Sequence, residues 1–404
     1  MQAFNLKKSV IAAVAVAVLA GAGSASAQVV GGGATLPEAL YNDLFTRTSP
    51  GFLDYVGVGS GAGKRAFFNN NATEFGLPAG TTVDYAGSDS LVTAGEASAY
   101  VTNSKPTFGA LIQVPAVLTS VTVPYNVPGL AAPLQLTSQQ LAEIFSREVT
   151  NWSQVEVSPG VFGPDLGIVV VFRNEEAGSG TTEIFLRHLN AIDGGAVPSV
   201  SNRFATVFGF DRLNPPAGYV GASGSAAIVP AIDAAVANAP ATAPVGAIGY
   251  VSPDFSDFDN EDAVVAIRPA PGQAGVLPTE VNVQSAVSQV PVPTTSTAKA
   301  DPLAWGISNA APTAGYPIVA STNLIFSQCY QSAADRTRIR TALNNLYGTA
   351  GTWDNDIRSH SFIPLPADWK AAIHQTFYNL SDAEGLAIGA SACSSVAGRP
   401  NVNN

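Results

Sequence analysis

The sequence predicts an α/β protein of two lobes with a ligand cleft between them. Three observations carry that expectation. Strand-like and helix-like patterns alternate along the chain, which favours sheets covered by helices. Two long apolar, β-branched runs, 111–123 and 316–326, are suited to passing between lobes. Glycine- and hydroxyl-rich turns follow several strand-like segments and run straight into helical patterns. In open α/β sheets such turns lie at the carboxyl ends of strands, where ligands bind.

The N-terminus sets the compartment. Lys7 and Lys8 precede an apolar run over 10–20, and Ala25-Ser26-Ala27 supplies an A-x-A cleavage site. This is the pattern of a secretory signal peptide over residues 1–27, too short and wrongly flanked for a membrane anchor. The expectation is a soluble, periplasmic or secreted chain that starts at Gln28, with no lipid anchor, because no cysteine lies near the cut. Removing the two lysines takes the formal charge from −11 to −13. An acidic chain with 12% charged residues lacks the basic patches that nucleic acid and anionic membranes recruit. A small anion stays compatible, since donors in a cleft outweigh distant, screened charge. At 404 residues the chain is too long for one comfortable core, and two domains are the default. Cys329 and Cys393 are its only cysteines. In an oxidising compartment they are expected to form one structural disulfide, a constraint of about 4 kcal/mol in the chain-entropy account.

Taken in order, Gly31-Gly32-Gly33-Ala34-Thr35-Leu36-Pro37-Glu38 reads as a flexible approach to a helix, with Thr35 as cap and Pro37 in the first turn. A strand-like segment over 52–58 leads into Gly59-Ser60-Gly61-Ala62-Gly63-Lys64. Walker A fails there, because Val58 stands at the first glycine and Arg65 follows Lys64, and a Rossmann fingerprint is only loosely met. What remains is a turn with Ser60 at a helix start, and Lys64 reads as a solvated helix residue. The strand over 82–87 ends in Ser88-Asp89-Ser90, and Asp89 taken alone reads as a cap for a helix beginning near Thr93. Residues 136–145 read as a capped amphipathic helix.

A buried strand over 168–172 then runs into Arg173-Asn174-Glu175-Glu176-Ala177-Gly178-Ser179-Gly180-Thr181-Thr182 and the apolar pattern of a helix. A helix start of this kind has unpaired N–H groups and partial positive charge, which suit an anion. Arg173 can add a forked, charge-assisted grip. Further on come a helix over 226–239, a strand over 246–251, loops over 253–303, and helices over 336–346 and 369–380.

Together these stretches resemble the phosphate-binding proteins that serve Pst-type ABC importers, and within them the DING-type subgroup. Gly-Gly-Gly-Ala-Thr-Leu-Pro at 31–37, Val-Gly-Ser-Gly at 58–61, Ala-Gly-Ser-Asp-Ser at 86–90 and Gly-Ser-Gly-Thr-Thr-Glu at 178–183 carry the resemblance, in family order across the mature chain. The subgroup's usual mature start, Asp-Ile-Asn-Gly, is replaced here by Gln28-Val29-Val30-Gly31. The resemblance implies a type II periplasmic binding protein-like fold, with 28–118 and 319–404 in one lobe and 119–318 in the other. It also implies a monomer that needs no cofactor and delivers hydrogen phosphate to a membrane permease.

Carried over residue by residue, it implies that Thr35, Leu36 and Ser60 donate from one lobe and that Asp89 accepts the ligand's proton. Arg173, Ser179, Gly180 and Thr181 hold the oxygens from the other. In the family the arginine lies four residues before the serine of the turn, whereas Arg173 lies six before Ser179. The expectation is that the two extra residues bulge outward, leaving the Arg173 head in the site with Glu175 or Glu176 holding the guanidinium; the alternative is an arginine displaced from the site, with water in its place. The rival reading is a secreted phosphatase. It lacks a G-x-S-x-G elbow, an H-E-x-x-H motif and a clustered metal set, and His188, His360 and His374 read as packing or surface residues. The chain is therefore expected not to be an enzyme.

Overall fold

The structure, a computed structural model, describes residues 28–47, 49–176, 178–270, 272–307 and 310–400. The expected signal peptide lies outside the described residues.

Two main sheets organise the fold. The first has the order Val56–Gly57, Gly31–Gly33, Tyr85–Ser88, Val319–Ser327, Leu111–Ser120. Its first three strands are parallel, and the two long ones join antiparallel. The second has the order Tyr219–Ala222, Gly167–Arg173, Val245–Gly249, Tyr125–Asn126, parallel except for the last pair. Helices cover both sheets, which explains why the strands read as continuous apolar runs rather than alternating ones. Leu111–Ser120 is buried along its whole length and still accommodates Pro115, because it sits at the sheet's edge. The Pro115 carbonyl accepts from the Tyr347 hydroxyl at 2.9 Å.

The two long runs therefore pair with each other in the first sheet, and only short segments beyond them pass between the sheets. Val121 donates its N–H to Ile318 O at 2.9 Å, and Thr122 donates to Val251 O at the same distance. Tyr316 clasps the same place, its hydroxyl on Val121 O at 2.8 Å. Three chain segments thus lie side by side where one sheet gives way to the other.

Several local expectations change. The triglycine at 31–33 is a buried strand rather than a flexible approach, and it is glycine because the Tyr85 ring fills the space a Cβ at Gly31 would need. Residues 253–303 hold the strand Ala266–Arg268, paired with Gln135–Thr137, and the helix Glu280–Val287. Proline and small residues hid them, since the strand is three residues long and gives no readable period. The helix expected over 136–145 is Ser138–Phe145, capped by Thr137 with Gln140 answering in a capping box. Cys329 and Cys393 form the expected disulfide, with Cα atoms 5.4 Å apart. No helix among the described residues is long and apolar enough to cross a membrane.

Candidate functional site

Three strands of the first sheet, ending at Gly33, Gly57 and Ser88, open onto one side of a cleft of about 780 Å3. The start of the helix Gly180–Ile192 and residues Asn202 and Arg203 form the other side.

Thr35 follows the first strand. The cap position belongs to Pro37, with no side-chain cap bond, so Thr35, which lines the cleft, does not close the helix. Ser60 opens the helix Ser60–Asn69. Its Oγ accepts the Asp89 N–H at 2.9 Å, which leaves the hydroxyl hydrogen to donate elsewhere. The first N–H groups of this helix have no intrahelical acceptor, and Ser60, Gly61 and Ala62 line the cleft.

Asp89 is 5% exposed. It is not a helix cap; Thr93 performs that task, with Glu96 completing a capping box. Burial pushes the Asp89 carboxyl up to about 7, and Glu183 across the cleft adds to the rise, against a hydrogen bond from Thr322 and the charge of Arg187. Its Oδ1 is buried with no hydrogen-bond partner among the described residues. A buried acceptor left open costs roughly 1–3 kcal/mol, so it marks a place where a ligand donor belongs.

On the far side, Ser179 is the N-cap of Gly180–Ile192, its Oγ accepting Thr182 N–H at 3.3 Å. Ser179 N–H donates to Asn202 O at 2.7 Å. A Cβ on Gly180 would overlap Asp89 Oδ2, so the two lobes meet here at backbone distance. Thr182 is fixed by the Tyr250 hydroxyl at 2.7 Å, which sets the helix start against the second sheet.

Arg173 ends its strand. Its Nε donates to Glu175 Oε1 at 2.7 Å and its Nη1 to Ser225 Oγ at 2.7 Å, and Nη2 also bonds Glu175. The loop returns to Ser179 through a bond from Gly178 N–H to Glu175 O at 3.2 Å.

The geometry sorts the eight sequence-derived residues. Thr35, Ser60, Asp89 and Gly180 line one cleft. Leu36, Ser179 and Thr181 adjoin it in the chain without lining it, Leu36 being packed on the core. Arg173 lines a neighbouring cavity of about 260 Å3 instead, and Arg203 lines both. Sequence reasoning missed Asn202, Arg203 and Glu183. Glu183 was within reach, one turn beyond Ser179; nothing in the sequence marks 202–203. Lys64 is not solvated: it is 7% exposed, bonded to Leu91 O and Glu96 at 3.1 Å each.

The histidines stand apart from the cleft. His188 is buried between Ser138 Oγ and Ala310 O, its pKa pushed down to about 4 by burial. His360 meets Asp43 at 3.0 Å, and His374 meets Asn344 and stacks on Tyr378. No His, Cys, Asp or Glu cluster among the described residues has the makings of a metal site.

Known proteins share this fold. The sequence profile of the PBP superfamily domain matches residues 20–338. A protein of Pseudomonas aeruginosa (strain UCBPP-PA14) called alkaline phosphatase L is 40% identical over 98% of this chain and 99% of its own. A "Phosphate-binding protein" from an unknown prokaryotic organism is 38% identical over 92% of this chain and 99% of its own. The crystal structure of a high-affinity periplasmic phosphate-binding protein, PfluDING, bound with phosphate, superposes with a TM-score of 0.73 at 39% identity, covering 92% of this chain and 99% of that one. The chain belongs to the DING-type phosphate-binding proteins of the PBP superfamily. In that family frame the two-lobed α/β fold is as the sequence predicts. Glu175 holds the Arg173 guanidinium, as the sequence suggested, but Arg173 lines the neighbouring cavity and not the cleft.

Proposed function

We propose that this protein binds hydrogen phosphate between its lobes and hands it to a membrane importer of the ABC type. The lobes in this reading are 28–118 with 319–404, and 119–318. The observation that carries it is Asp89: a buried carboxyl with one open acceptor oxygen, placed between two helix starts. Those helix starts, with the hydroxyls of Thr35, Ser60, Ser179 and Thr181 and the amides of Leu36 and Gly180, supply donors for the oxygens of an anion. Replacing a dianion's water requires many such oriented donors, each charge-assisted bond contributing roughly 1.5–3 kcal/mol net. Arg173 adds fixed positive charge from the strand end, with Glu175 and Ser225 orienting it. Asp89 rewards an anion that carries a proton and leaves one without a proton facing a bare carboxylate, which discriminates against sulfate.

The protein acts in this reading as a periplasmic or secreted monomer and performs no chemistry on its ligand. The names of some relatives raise hydrolysis of phosphate esters as a second reading. Against it, all three histidines lie away from the cleft, so no histidine stands beside Ser60 or Ser179 to activate a hydroxyl. Calorimetry on ligand-stripped protein with phosphate, arsenate and sulfate tests the proposal. Tight phosphate binding with sulfate excluded is expected; equal affinities for phosphate and sulfate, or none for phosphate, would end it.

A further inference from the structure

The cations around the cleft are unequal. Lys64 is tied to Glu96, and Arg65 holds Glu74 with Nε and Nη2 at 3.2 and 3.0 Å. In the neighbouring cavity Arg173 is tied to Glu175 and Arg212 to Glu176. Arg203 alone among these has no carboxylate partner among the described residues. It is exposed and lines both cavities. Only its Nε is engaged, donating to Glu176 O at 2.7 Å, so the two terminal nitrogens of its fork have no bond among the described residues.

Its position is nonetheless fixed relative to the turn of the Gly180–Ile192 helix. Ser179 N–H donates to Asn202 O, and the Asn202 side chain fills the space beside Gly178. The acceptor for Arg203 Nε, the Glu176 carbonyl, belongs to the loop between Arg173 and Ser179. That loop therefore does two things at once: it turns the Arg173 head toward Glu175 and Ser225, and it presents a carbonyl that braces Arg203 at the cleft. Glu96, Glu183 and Asp89 also line the cleft, in a chain of net charge −11, so an approaching anion meets several carboxylates. A braced guanidinium with an unoccupied fork offsets that field at short range and matches the geometry of tetrahedral oxyanions.

We propose that Arg203 is a ligand-contacting residue, whose fork takes oxygens of the bound phosphate dianion in addition to the donors of the two helix starts. The inference rests on the phosphate-binding reading and adds to it the cation that the cleft itself presents.

The test uses phosphate alone, with the full chain, by calorimetry and stopped-flow exchange. Arg203→Gln is expected to weaken phosphate binding about 10- to 100-fold, the scale of one charge-assisted contact, mainly through faster dissociation. Arg203→Lys is expected to fall between the two, keeping the charge and losing the fork. Because the side chain is exposed, phosphate-free melting of both variants is expected to match wild type. If Arg203→Gln melts lower, Arg203→Lys decides: wild-type affinity in a normally folded Arg203→Lys or Arg203→Gln overturns the contact. A loss confined to the association rate also overturns it, since that is long-range attraction only. Absence of phosphate binding by wild type would instead refute the parent reading, so the two failures are distinguishable.

Discussion

Asp89 concentrates the chemistry into one carboxyl, and two of its properties are separately testable. Asp89→Asn keeps the size and removes the negative charge, and an amide donor replaces a carboxylate that repels bare anions. Sulfate binding is expected to rise relative to phosphate, with the preference falling by at least tenfold in calorimetry; an unchanged ratio contradicts the proton-accepting role. The second property is titration. Burial also raises the Asp84 carboxyl to about 7, with Oδ2 taking the Val30 N–H at 2.8 Å and Oδ1 without a partner among the described residues. For both groups the folded state holds a proton that the unfolded chain has lost between pH about 4 and about 7. Their contribution to stability is therefore full at low pH and lost as pH rises through that window. His188 works the other way, because its folded value of about 4 lies below the unfolded one. The clean measurement is a difference between variants. Asp84→Asn, urea-unfolded without phosphate, is expected to gain stability over wild type as pH rises from 4 to 8, by at most about 4 kcal/mol. A gain independent of pH excludes the assignment.

At the scale of elements, function depends on helix starts brought together from two sheets. Gly180 shows how closely: a methyl there would collide with Asp89 Oδ2, a residue from the other lobe. Gly180→Ala leaves each lobe intact, because alanine is a better helix former than glycine. It is expected to weaken phosphate binding more than tenfold while phosphate-free melting holds or rises slightly. Binding at wild-type strength would show that the lobes need not meet at this point. The turn between Arg173 and Ser179 belongs to the same scale. Within it Glu175 holds the Arg173 guanidinium, while Ser179 caps the helix start separately through the Thr182 N–H.

For the whole molecule, the disulfide bears on stability separately from the cleft. Cys329–Cys393 closes a span of 64 residues within the last part of the chain. Cys329→Ser with Cys393→Ser is expected to cost about 2–5 kcal/mol in denaturant unfolding, with phosphate affinity nearly unchanged, since neither cysteine lines the cleft. A large loss of affinity at preserved folding would show coupling between that end of the chain and the site. In the phosphate-binding reading, closure turns about the segments around Val121, Val251 and Ile318 that join the sheets. All four tryptophans are buried, at 0 to 2% exposure. Closure is consequently read better by scattering than by tryptophan emission.

Much of this protein was legible in its sequence because the signals are local. Alternating patterns gave the α/β class, glycine and hydroxyl turns gave the helix starts, and two cysteines in a chain with an export-like N-terminus gave the disulfide. Each depends on neighbours within a few residues, where backbone chemistry is decided. Assembly was not legible. That the two long runs pair with each other, that Gly31–Gly33 is a buried strand, and that Asn202 and Arg203 reach the cleft all depend on contacts between distant segments. Asp89 falls between the two kinds. Its residue type and strand-end position are in the sequence, but alone they describe a helix cap. Only the tertiary structure removes it from water, leaves one oxygen open and sets Gly180 against it, because desolvation and close approach are properties of the packed lobes.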